Sequence, residues 1–106
     1  MDDRELLEMA AKAAGVHWNL WDYDRVRNLG HMVTPNMMWN PLRDDGKAFQ
    51  LAVNLKLQVI IYSDWVEVLQ DGIRKANADS VYDAGCMLTC ARRAIVRAAA
   101  EIGRAM

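Results

Sequence analysis

The segment CMLTCARRAIVRAAAEIGRAM, residues 86–106, restricts the possible folds of this chain more than any other stretch. Leu88, Ala91, Ile95, Ala98 and Ile102 recur at steps of three and four, which places them on one face of a helix. Cys90, Ala94 and Ala105 widen that apolar stripe. Arg92, Arg93, Arg97, Glu101 and Arg104 fall mostly outside it, where their heads can stay in water. Alanine, the best helix former, fills the segment, so propensity and pattern agree. Asp83 stands at a suitable distance to cap the N-terminus, and arginines gather toward the C-terminal half, where the helix dipole favours cations. An alanine-rich stripe lets its neighbour approach closely, and the expected neighbour is a small β-sheet.

At 106 residues the chain is long enough for one small domain, 1–106. Hydrophobic residues make up 53% and charged residues 25%, which supports a core and argues against global disorder. The formal net charge of -1 and pI near 6.1 lack the basic excess of domains built to hold nucleic-acid phosphates. No apolar run reaches the length of a membrane span. The opening MDDRELLEMAAKAAG is acidic and amphipathic, unlike a signal peptide, so the expected compartment is a reducing cytoplasm. Cys86 and Cys90 are four apart on the last helix, where a disulfide would be strained; both are expected as buried thiols.

Residues 3–14 read as a first helix, capped by Asp2 or Asp3, with Leu6, Leu7, Ala10 and Ala14 inward and Gly15 as its stop. In VHWNLWDYD, Val16, Trp18 and Leu20 alternate with His17, Asn19 and Trp21, as in a strand with aromatics on both faces. A loop follows over 24–30, then a short strand at His31–Val33, broken by Thr34-Pro35-Asn36. Asn40-Pro41 opens a turn, and Asp44 or Asp45 caps a second helix with Ala48, Leu51, Ala52 and Leu55 inward and Phe49 and Val53 at the flank. Residues 57–62 are rich in β-branched side chains and read as a strand. Ser63-Asp64 turns into a second strand over 65–70, Asp71-Gly72 ends it, and 73–76 can add an edge strand guarded by Arg74 and Lys75.

Chemistry-bearing patterns are sparse. His17, His31 and a CxxxC do not have the spacing of a zinc site. Cys86 near a helix start meets part of what a nucleophilic thiol needs, although a small hydrophobe in a first turn is the commoner case. Phosphate-loop, dinucleotide and hydrolase-elbow motifs do not occur. Asp44-Asp45 is more simply a helix cap than a pair of catalytic acids. The arginines of the last helix scatter around it, as on a solvated face. The cluster Trp18, Trp21, Tyr23, Met32, Met37, Met38 and Trp39 is harder to assign wholly to a core, since aromatics and methionine are enriched at recognition surfaces. Trp21, Met37 and Met38 are the candidate partner-binding residues.

Three blocks, DRELLEMAAKAAG, WNPLRDDGKAFQLAVNLKL and CARRAIVRAAAEIGRAM, resemble a group of small phage and prophage proteins of unknown function, similar to those described as a phage α/β/α-sandwich domain. The resemblance covers close to half the chain and coincides with helices and their caps. It implies origin and approximate fold, and it transfers no site residue.

The expected fold is α+β: a small antiparallel sheet with three helices packed on it and a long C-terminal helix. The expected function is that of an accessory protein binding a host or phage protein, modulating a host protein or countering host defence in the bacterial cytoplasm. No catalytic activity, metal or cofactor is expected. Nucleic acid and membrane are not expected partners, and the oligomeric state is open. One alternative is a nucleic-acid-binding regulator. Another is a ligand-sequestering protein or enzyme with an apolar pocket near Trp18, Trp21 and Trp39.

Overall fold

A computed structural model of the chain describes residues 2–15, 39–78 and 85–106. The two strands read over 16–33, the Asp83 cap position and both histidines lie outside the described residues.

The first helix, α1, spans Asp3–Ala14. Asp2 caps it, its carboxylate accepting the Glu5 N–H at 2.8 Å. Gly15, at φ 72, closes it by donating to the carbonyls of Ala11 and Lys12. Leu6, Leu7, Ala10 and Ala11 are buried. The second helix, α2, covers Asp45–Asn54 and starts at Asp44, whose carboxylate accepts the Lys47 N–H at 3.0 Å. Ahead of it, the Asn40 side chain accepts the Leu42 N–H, and Pro41 and Leu42 are buried. Ala48, Leu51 and Ala52 form the inner face of α2.

Lys56, at φ 55, reverses the chain, and the Leu57 N–H donates to Ala52 O at 2.8 Å. Three antiparallel strands follow in the order β1-β2-β3: β1 at Gln58–Ile61, β2 at Val66–Gln70 and β3 at Ile73–Ala78. Asp71 and Gly72 both have positive φ, 54° and 81°, the conformation that a two-residue hairpin matching the strand twist requires. The sequence expectation of a strand beginning at Ile73 holds, and β3 runs on to Ala78 with a register irregularity at Val68/Leu69. Val66 and Val68 of the central strand are fully buried. Gln70 Nε2 ties the sheet to the end of α2 by donating to Leu55 O at 3.1 Å.

The last helix, α3, spans Met87–Arg104. It lies on the sheet, closest to β3 and β2, with α2 alongside. The protein is therefore α+β, with a three-stranded antiparallel sheet and a long C-terminal helix. Burial on α3 is wider than one stripe: Cys90, Ala94, Ile95, Val96, Ala98, Ala99, Ala100 and Gly103 are all enclosed. The additional face receives α1. Their separation is set at Gly103, where a Cβ would collide with the Met9 carbonyl and crowd the Ala13 nitrogen. Arg93 pairs with Asp3 at 3.1 Å near one end of the two helices, and Lys12 Nζ donates to the Met106 main-chain oxygen at 3.2 Å near the other. α1 and α3 thus run parallel.

Four sequence expectations for this region change. The N-cap of α3 is Cys86 rather than Asp83, because the chain enters the helix only at Met87. Cys86 is exposed, and Cys90 alone is a buried thiol. Leu88 is 62% exposed, because the first turn of α3 projects past the elements that cover Ile95. Ala105 is exposed beyond the last helical residue. Trp39 belongs to the core, packed with Leu42 and the helices' inner faces. Among the described residues no helix is long and apolar enough to cross a membrane.

Candidate functional site

Where α2 and β1 diverge above α3 they leave a groove of about 600 Å³. Ala48, Phe49, Ala52 and Val53 of α2 form one wall. Leu57, Val59 and Ile61 form the other, and Leu88, Ala91 and Ile95 of α3 lie between them. Period-two alternation puts Leu57, Val59 and Ile61 on one side of β1, which explains why all three reach the same space. Phe49 and Val53 are four apart on α2 and stack one above the other on its flank. Their exposures are 69% and 56%, and Ile61 reaches 61%. With Leu88 they form a continuous apolar surface open to water, of the kind that marks a contact site.

The charged groups at the groove are unequal. Arg92 makes three contacts: Nε donates to Leu42 O at 2.9 Å, one terminal nitrogen to Asp45 Oδ1 at 2.5 Å, and the other to Thr89 Oγ1 at 3.0 Å. Its side chain is only 17% exposed, so the expectation that it stays in water is corrected. Arg92 fastens α3 to the start of α2 and neutralises Asp45. Asp44 and Asp45 thus serve as a cap and an ion-pair partner. Lys56, at the opposite end, has no carboxylate in ion-pairing range among the described residues.

Cys86 lies one turn from the groove. Its Sγ accepts the Thr89 N–H at 3.5 Å and sits 3.2 Å from Thr89 Oγ1. The Thr89 hydroxyl and then its N–H hold the exposed thiol below its ordinary pKa; desolvation opposes them, and the Leu88 N–H and Arg92 charge add smaller pulls downward. Among the described residues no three His, Cys, Asp or Glu side chains converge as metal ligands would.

Of the residues expected to bind a partner, Trp21, Met37 and Met38 lie outside the described residues. Trp39, from the same cluster, is core. The groove is built from Phe49, Val53, Ile61 and Leu88, which the sequence reading placed at a flank, in a strand and on a buried stripe. One signal was present: α2 carries apolar residues on a second face, more than a single inward stripe needs.

No family model matches the chain, nor does any curated protein or solved structure.

Proposed function

We propose that this chain is a small phage- or prophage-encoded accessory protein that acts by binding another protein, and that the partner seats in the groove between α2, β1 and α3. One observation carries this reading: Phe49, Val53, Ile61 and Leu88, four large apolar side chains from three elements, stand more than half exposed around a single groove. An interface centre is apolar and depleted in charge, with charged groups at its rim, as Arg92, Asp45 and Lys56 are here. The phage origin, and with it action on a host or phage protein in the bacterial cytoplasm, rests on the resemblance of the three sequence blocks. A second reading, sequestration of an apolar small molecule, is favoured by the volume of about 600 Å³, which lies within the range of small-ligand sites.

Replacing Phe49 and Leu88 together by serine tests the first reading. Both side chains are largely exposed, so the melting temperature should stay near wild type. A partner captured by the wild-type protein from bacterial host cells should be lost or weakened at least about tenfold, as truncating interface anchors does. A stable serine pair that keeps the partner overturns the groove as the binding site. A small apolar molecule co-purifying with wild type but not with the serine pair, in native mass spectrometry, selects the second reading.

A further inference from the structure

The hydrogen-bond phase of β1 says what shape of partner fits the groove. The Tyr62 N–H donates to Trp65 O at 2.9 Å, and β1 pairs with β2 as Ile60↔Glu67 and Gln58↔Leu69. Because main-chain groups alternate in direction along an antiparallel strand, those of Gln58 and Ile60 point toward β2. Those of Val59 and Ile61 therefore point away from it, over an edge of the sheet that no described strand covers. The side chains of the same two residues line the groove. At Leu57 the outward N–H is already taken by Ala52 of α2, so the helix closes one end of this edge, and no described residue pairs with the outward groups of Val59 and Ile61.

Resting on the reading of the groove as a protein-binding site, we infer that it takes an extended segment of the partner as a fourth strand, antiparallel to β1, with apolar side chains at alternate positions and a carboxylate at its C-terminal end facing Lys56. A helix laid in the groove would cover the outward N–H and C=O groups of Val59 and Ile61 without pairing them, and a buried unpaired backbone group is costly. A strand satisfies them and places every second side chain against Ala91, Ile95 and Phe49. An antiparallel guest continues the pairing of both described strand pairs, and charge locates its carboxylate. Asp45 is neutralised by Arg92, whereas Lys56, just before β1, has no carboxylate in range among the described residues. An antiparallel guest ends beside Lys56.

The probe is a short synthetic peptide of alternating valine and threonine, amidated and ending in glutamate, compared with the same peptide ending in lysine. The glutamate peptide should bind about threefold tighter, the scale of one exposed ion pair. Lys56→Glu should reverse that order. Bound peptide should slow hydrogen exchange at the Val59 and Ile61 amides and leave those of Gln58 and Ile60 unchanged. Val59→Pro removes an outward N–H that β2 does not use, so the fold should persist while peptide binding is lost. Absence of peptide binding, binding without protection at Val59 and Ile61, or tighter binding of an amphipathic helical peptide overturns the strand. So does concentration-dependent dimerisation through β1, which makes a second copy the occupant. A natural partner that survives Val59→Pro but is lost with the serine pair at Phe49 and Leu88 also overturns the strand, while leaving the groove as the protein-binding site.

Discussion

Cys86 and Cys90 lie four residues apart at the start of α3, one as its cap and one within it, and their surroundings give them opposite chemistry. Cys90 is fully enclosed and acts as a small hydrophobe, whereas Cys86 caps α3 in open solvent. Its lowered pKa comes first from the Thr89 hydroxyl and next from the Thr89 N–H. Alkylation of the folded protein should therefore modify Cys86 and spare Cys90. The pH midpoint of that reaction should fall below that of a free cysteine, and Thr89→Ala should move it back up; an unchanged midpoint in Thr89→Ala would dispose of the hydroxyl's role. The stability linkage has the same sign. With the folded-state pKa depressed, thiolate capping stabilises the fold above the unfolded thiol's pKa, and that contribution disappears as pH falls through the folded value. Sequence spacing shows that the two cysteines lie four residues apart. It does not show where the helix starts, and the start decides which thiol is the cap.

At the scale of elements, α3 has two working faces and a projecting first turn. Ile95 lies where the sheet side and α2 close over it, at 8% exposure, while Leu88, two turns earlier, stands at the lip of the groove. Ile95→Asp should cost roughly 3–5 kcal/mol by burying an unpaired carboxylate. Leu88→Asp should stay within about 0.5 kcal/mol of wild type. Urea melts that fail to separate the two would contradict the placement of α3. This pair also marks how much the sequence made legible. Period 3.6 put Leu88 and Ile95 on one stripe, and alternation found β1, β2 and the Asp71-Gly72 hairpin. The groove depends on where α2 and β1 part company, a consequence of the Lys56 reversal, and no periodicity encodes it. The second buried face of α3 was similarly hidden, because Val96, Ala99, Ala100 and Gly103 are mostly too small to register as a hydrophobic stripe. They suit a close helix–helix contact for the same reason.

In the whole molecule, 36 × 30 × 23 Å in extent, α3 lies between two bodies: the sheet with α2 on one side, and α1 on the other. Among the described elements α1 rests chiefly on α3, so its attachment can be weakened on its own. Gly103→Ala forces backbone against backbone at Met9, and neither helix can yield by turning a side chain. The expected loss is about 1–3 kcal/mol from overpacking, against a helix-propensity gain of about 1 kcal/mol. Native-state hydrogen exchange should show α1 amides losing protection first and most in this variant, with the β2 amides least affected. Uniform loss across both would mean that the two bodies unfold as one. The parallel course of α1 and α3 also settles which way an immobilised molecule faces. Asp3 sits beside Arg93, near the end of α3 that carries Leu88 and Arg92, while Met106 lies by Lys12, roughly a helix length of about 18 Å away. A biotin or surface anchor placed after Met106 would hold the protein by its far pole with the groove turned to solution, whereas one placed before Asp2 would crowd the groove against the support.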